Sequence, residues 1–89
     1  MSLDRVTIRS QARSIGCSLE AMDWACKIAR AHPGLKLTLF HGGQTATVSW
    51  SKAGGFLVCE NGSELREGSL RSILEALFYV FPTGAEVRA

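Results

Sequence analysis

Residues 35–50 read LKLTLFHGGQTATVSW, and their pattern is the clearest indication of the fold. Apolar and polar residues alternate on both sides of the glycine pair, which is the period of half-buried β-strands. Gly42 and Gly43 are interpreted as a two-residue hairpin loop, because glycine readily adopts the positive φ angles that such turns require. The stretch therefore predicts an antiparallel hairpin.

The hydrophobic pattern also predicts the register of this hairpin. With Gly42 and Gly43 as the loop, His41 pairs with Gln44 as the last pair before the turn. A shift by one residue would place every leucine opposite a threonine or serine. The predicted register instead puts three apolar pairs on one face: Leu39 with Ala46, Leu37 with Val48, and Leu35 with Trp50.

A third strand is predicted at Gly55–Glu60. A four-residue loop at 51–54 would pair Val48 with Leu57 and Ala46 with Cys59, which again puts apolar residues on the core face. Residues 63–68, SELREG, are predicted to be a polar loop. The opposite face of the sheet would then carry Lys36, Thr38, Phe40, Thr45, Thr47, Ser49, Phe56, Val58 and Glu60.

Two amphipathic helices are predicted around the strands. The first covers Leu19–Ala31, with Ser18 as its N-cap, and the second covers 70–81, with Ser69 as its N-cap. The fold class is therefore α+β, a two-layer α/β sandwich in the order helix-strand-strand-strand-helix. It has a three-stranded antiparallel meander with both helices on one face.

The chain ends are less regular. Residues 4–17 fit either a short edge strand, since Val6 and Ile8 alternate with polar residues, or a flexible basic arm. Residues 82–89 resemble a tail. We therefore predict a single domain, 1–89, in which 1–17 is the arm or edge strand, 18–81 the folded core and 82–89 the tail.

Composition restricts the function classes. The 89 residues are 46% hydrophobic and 20% charged, which indicates a globular chain. No run approaches the roughly 20 apolar residues that span a bilayer, and the N-terminus lacks a secretory pattern, so we expect a cytoplasmic protein. The net charge of +2 is small and dispersed along the chain, so charge alone predicts no partner.

The cysteines and histidines predict no cofactor, metal site or enzyme. Cys17, Cys26 and Cys59 form an odd set without CxxC spacing. A nucleophilic pair of one cysteine with His32 or His41 is possible in principle, but Cys26 and Cys59 are predicted to face the core. Only Cys17 is expected to be exposed. An oxyanion-hole role for HGGQ would need a nucleophile motif that the chain lacks.

The order helix, three strands, helix resembles the double-stranded RNA-binding domain. That family places a lysine cluster at the start of its second helix to contact phosphates. The corresponding stretch here, EGSLRSILEAL, offers only Arg71 beside Glu67 and Glu75. The resemblance is therefore one of topology, and no membership follows from it.

We expect a non-enzymatic protein-protein interaction module that binds a partner or a second copy of itself through the open sheet face. Such a module could be an accessory or inhibitory protein of a phage or other mobile element. Alternatively, the chain could form a structural homodimer. The predicted interface residues are Phe40, Phe56, Val58, Thr38, Thr47 and Trp24. The alternative is nucleic-acid binding through Arg5, Arg9, Arg13, Lys36 and Lys52.

Overall fold

The structure, a computed structural model, describes residues 5–89. Within this range the strands form one five-stranded antiparallel sheet in the order β4-β3-β2-β1-β5. The α+β class and the predicted helix-strand-strand-strand-helix order are confirmed, with further elements added. The elements are α1 Arg5–Ile15, α2 Leu19–Ala31, β1 Leu37–His41, β2 Gln44–Ser51, β3 Gly55–Glu60, β4 Ser63–Glu67, α3 Leu70–Val80 and β5 Glu86–Arg88.

The hairpin of β1 and β2 has the predicted register. His41 pairs with Gln44, and the pairs Leu39 with Ala46 and Leu37 with Val48 follow from the turn. Gly42 and Gly43 have φ angles of 58° and 85°, the positive pair that a tight hairpin turn demands. Glycine adopts both angles without a Cβ clash, and this explains why the glycine pair determines the pairing.

The predicted register of β2 against β3 is wrong by one residue. Val48 lies opposite Val58, and Ser51 pairs with Gly55, so residues 52–54 form a three-residue loop. Gly55 closes this loop with φ 72°, a glycine-dependent geometry typical of three-residue hairpins. As a result Phe56 and Val58 point toward the helices, whereas Leu57 and Cys59 point to the opposite face.

The N-terminal segment forms a helix, so the prediction of an arm or edge strand is wrong for residues 5–15; residues 1–4 lie outside the described part. Ile8 and Ala12, four residues apart on one helical face, are buried in the core. Val6 is 73% exposed, so it does not share a buried face with Ile8. Two alternating positions were too few to identify a strand.

Two more strands replace the predicted loop and tail. In β4, Leu65 pairs with Val58. In β5, Val87 pairs with Leu39 and is buried. The segment before β5 is tied to the start of α2, because Ser18 and Ala85 exchange two backbone hydrogen bonds of 3.3 and 3.2 Å. The five-stranded sheet and the added helix α1 depart from the topology that resembled the RNA-binding domain.

Both predicted N-caps are present. The Ser18 hydroxyl accepts a hydrogen bond of 3.0 Å from the amide of Ala21, and the Ser69 hydroxyl accepts one of 3.1 Å from the amide of Ser72. Each bond satisfies an amide that the helix itself leaves unpaired, which contributes about 1 kcal/mol. The caps therefore set where α2 and α3 begin.

One hydrophobic cluster joins the three helices to one face of the sheet. The strand side chains that alternate with these buried residues lie on the other face of the sheet, which we call the open face. Its members are Thr38 and Phe40 of β1, Thr45, Thr47 and Ser49 of β2, Leu57 and Cys59 of β3, Glu64 and Arg66 of β4, and Glu86 and Arg88 of β5.

The register of β3 is tested by truncating neighbouring residues. Phe56→Ala should lower the free energy of unfolding by about 3–5 kcal/mol, because it removes a fully buried ring. Leu57→Ala should cost about 1 kcal/mol or less, since Leu57 is only half-buried on the open face. Urea denaturation of both variants measures the two costs, and the reverse order would support the four-residue loop.

Candidate functional site

The residues of the predicted protein interface do not form one surface. Thr38, Thr47 and Phe40 lie on the open face as expected. Phe56 and Val58 are buried in the core, so their assignment to that face is wrong. Trp24 is partly buried and packs against the core from α2, on the helical side of the sheet. The open face thus has less apolar surface than the sequence suggested.

Phe40 is the aromatic side chain that remains on the open face. The guanidinium of Arg88 lies over its ring, 4.4 Å from the ring centre. A cation–π contact of this kind contributes about 0.5–1 kcal/mol at an exposed site. Arg88 also forms a salt bridge of 3.9 Å with Glu86. The contact fixes a cation above the sheet at its β5 edge.

Cations lie at both edges of the open face. Cross-strand pairing aligns Arg66 with Leu57 and Leu57 with Ser49, so Arg66 marks the β4 edge. The neighbouring row of cross-strand pairs on this face runs from Cys59 through Thr47 and Thr38 to Arg88. Adjacent strands are about 4.8 Å apart, so the distance from β4 to β5 is about 19 Å. Lys36, directly before β1, continues the alternation on the same face.

One groove, at the end of the sheet where β1 begins, is lined by three cations, Lys36, Lys52 and Arg66. Its volume is about 430 Å³, and none of its lining residues carries a carboxylate. Ser49 and Ser51 add hydroxyl groups, and Trp50 and Leu57 contribute to the wall. The groove is therefore suited to an anionic group with hydrogen-bond acceptors.

A second groove, of about 290 Å³, lies between α1 and β5. Arg9 and Arg13 of α1 line it together with Glu86 and Arg88. Arg88 thus connects the open face to α1. We call the whole set the basic band; its members are Lys52, Arg66, Lys36, Arg88, Arg13 and Arg9.

Most charges of the basic band are uncompensated. Among the residues that the structure describes, the salt bridges join Lys27 to Asp23, Arg71 to Glu75 and Arg88 to Glu86. The other five cations of the band form none within that range. The fold therefore gathers into two grooves charges that are dispersed along the sequence.

Four of the cations predicted for nucleic-acid binding belong to the basic band: Arg9, Arg13, Lys36 and Lys52. They occupy two grooves rather than one. The side chain of Arg5 lies outside the described part of the chain. Arg66 and Arg88 were missed because their segments were assigned to a loop and a tail. The alternation of charges in SELRE was the available signal for a strand at Arg66.

Cys17 and His41 are brought together, although the sequence favoured no such pair. The Sγ atom of Cys17 lies 3.1 Å from Nδ1 of His41, at an exposed position. Cys26 is buried as predicted. The prediction that Cys59 faces the core is wrong, because the register of β3 places it on the open face.

No group of three or more histidine, cysteine or acidic side chains in residues 5–89 is placed to hold a metal ion. In the same range, no helix is both long and apolar enough to cross a membrane.

The chain matches no protein-family model, no curated protein and no solved structure. Function is therefore inferred from the geometry and chemistry of the surface residues.

Cys26 gives the protein a specific alkaline sensitivity. Burial, with a smaller contribution from the nearby Asp23 carboxylate, raises the pKa of the Cys26 thiol from 9.0 to about 12. Above pH 9 the unfolded chain ionises this thiol while the folded protein keeps it neutral. The contribution of the neutral Cys26 thiol to the free energy of unfolding is thus fully present below pH 9 and is lost as the pH rises from 9 toward 12.

The expected loss from Cys26 is on the order of 1 kcal/mol at pH 10. Urea denaturation at pH 8, 9 and 10 should show that the wild-type protein loses this amount relative to Cys26→Ala, which lacks the thiol. A stability difference between the two proteins that stays constant over this range would contradict the burial of Cys26.

Proposed function

We propose that the protein is a non-enzymatic binding module whose basic band holds nucleic acid. The observation that supports this most strongly is the band itself, with six cations across the open face and α1, of which Arg88 alone has an ion-pair partner in the described residues. Cations that face solvent without partners attract a polyanion and release its counterions on binding. Free cysteines are consistent with a cytoplasmic location, which is part of the proposal.

The dimensions of the open face suit a single strand. A row of about 19 Å from β4 to β5 corresponds to about five or six nucleotides at a rise of about 3.4 Å per nucleotide. Thr38, Thr47 and Ser49 lie between the cationic edges, where their hydroxyls can bond phosphate and sugar oxygens. Phe40 and Leu57 supply apolar surface for bases.

This proposal differs from the protein interface expected for the same face. Burial of Phe56 and Val58 removes two of the three large apolar side chains on which that expectation rested. The remaining surface is rich in hydroxyl groups and cations, a composition that is typical of phosphate-contacting surfaces. Glu64 and Glu86 are the carboxylates on this face, against the three cations Lys36, Arg66 and Arg88.

A double charge reversal tests the band. Lys36→Glu/Arg66→Glu should weaken binding of a fluorescent twelve-nucleotide single strand at least tenfold in anisotropy titrations, because both cations line one groove. The wild-type dissociation constant should be micromolar at 50 mM salt. It should rise about 50-fold by 200 mM if about four phosphates are neutralised on a single strand.

The matched control is Arg30→Glu/Arg71→Glu, which changes the net charge equally but lies on α2 and α3. It should bind within about threefold of the wild-type protein, since these cations are outside the band. An equal loss in both double variants would mean that net charge alone drives binding. Absence of binding to DNA and RNA, single- or double-stranded, at 50 mM salt would overturn the proposal.

Protein binding is a second candidate, on a different surface. Tyr79 of α3 is 89% exposed, and Phe78 and Leu65 are also exposed. A small groove of about 130 Å³ between α3 and β4 is lined by Leu65, Ala76 and Val80 among apolar residues and by Glu60, Ser63 and Glu64 among polar ones. An exposed tyrosine is a frequent interaction hot spot. A partner or a second copy of the chain would bind here.

Tyr79→Ser tests this second surface. Sedimentation equilibrium at 10–200 μM (about the range of weak dimers) should show self-association that the variant abolishes, while thermal stability is unchanged because Tyr79 is exposed. Ser72→Ala, on the same helix, is the control for a change in helix stability. A wild-type protein that is monomeric throughout would remove self-association from the candidate functions.

A further inference from the structure

Cys17 and His41 come from different elements and meet at one end of the sheet. Cys17 lies between α1 and α2, and His41 is the last residue of β1 before the glycine turn. Their Sγ and Nδ1 atoms are 3.1 Å apart, a short distance for a hydrogen bond to sulfur. When the imidazole carries its own proton on Nε2, Nδ1 accepts the thiol hydrogen.

The backbone on the cysteine side is firmly held. The amide of Gly16 donates to the carbonyl of Ala12, and its φ of 71° turns the chain out of α1. Ser18, the next residue after Cys17, is bonded to Ala85 through both of its backbone groups. A Cβ at Gly84 would overlap the backbone of Ser18, so the packing here is close.

The backbone on the histidine side is held by strand pairing. His41 pairs with Gln44, and Gly42 and Gly43 close the turn directly beyond it. The two side chains are therefore placed by fixed backbone rather than by a chance contact between mobile loops. A nucleophile within hydrogen-bond distance of a base is the arrangement that activates a thiol.

The other two thiols lack this arrangement. Cys26 is buried and its pKa is raised by burial, so it is a poor nucleophile. Cys59 is half-buried near the end of β3, and no described imidazole lies within hydrogen-bond distance of it.

We propose that Cys17 is a reactive thiol that forms mixed disulfides with small disulfides, with His41 as its general base. Sγ of Cys17 attacks one sulfur of the disulfide while its proton passes to Nδ1 of His41. The new Sγ–S bond forms as the original S–S bond breaks, and the leaving thiolate takes the proton from the imidazolium. Cys17 is thereby oxidised and the small disulfide is reduced to one thiol, so atoms and electrons balance.

The Cys17–His41 pair shares no residue with the basic band. His41 ends β1 and Lys36 directly precedes that strand, so the two are about 16 Å apart at about 3.3 Å per residue. A modified Cys17 should leave nucleic-acid affinity unchanged, so the failure of either proposal does not affect the other.

The test uses 5,5′-dithiobis(2-nitrobenzoate), a small disulfide whose released thiol absorbs visible light. The folded protein at pH 7 should show one fast phase of one thiol per chain, and peptide mapping should place the first adduct on Cys17. Cys17→Ser should abolish that phase, and Cys59→Ser should keep it. His41→Gln should slow it about 100-fold, the usual size of general-base effects.

Added imidazole should partly restore the fast phase in His41→Ala, which separates loss of the base from a structural change. Gln44→Ala, which alters the paired position without removing the base, should react like the wild-type protein. A first adduct on Cys59 in the wild-type protein would overturn the proposal. An unchanged rate in His41→Gln would do so as well.

Discussion

The pairing of β2 with its two neighbours determines what the rest of the molecule presents to solvent. A strand has a side-chain period of two, so a slip of one residue exchanges its buried and exposed sets. The glycine turn at 42–43 sets one pairing, and the loop at 52–54 that Gly55 closes sets the other. Because of the second loop, Phe56 packs in the core and Leu57 lies on the open face.

The surface electrostatics follow from the same pairing. In β4, Arg66 faces outward because it pairs with Leu57, and in β5 Arg88 faces outward because it pairs with Thr38. On the helices, Lys27 and Arg71 are compensated by carboxylates one turn away. Five of the six cations of the basic band have no ion-pair partner among the described residues, although the net charge of the chain is only +2.

The parts of the fold that could be predicted are those where a single periodicity was unambiguous. The alternation in 35–50 allowed one register, and the serine caps with a 3.6-residue pattern located α2 and α3. Residues 56–59, FLVC, are apolar on both faces, so their pattern did not distinguish a three-residue loop from a four-residue loop. Strand β4 is polar on nearly every position, and β5 has three residues, so neither gave a hydrophobic signal.

The candidate sites were harder to predict because they depend on contacts between distant segments. Arg9, Lys36 and Arg88 are far apart in the chain and are gathered by the position of β5 between β1 and α1. The pair of Cys17 and His41 likewise needs the turn between α1 and α2 to reach the tip of the hairpin. The local sequence pattern carries no information about either of these contacts between distant segments.

We propose that the register of β3 and β4 creates an open face that binds nucleic acid through the basic band. Amide chemical shifts of ¹⁵N-labelled protein, recorded during titration with a single-stranded oligonucleotide, locate the bound surface residue by residue. We expect shifts at alternate positions that include Lys36, Ser49, Leu57 and Arg66, with Trp24 and Tyr79 unaffected. Shifts confined to α2 and α3, or none at low salt, would contradict it.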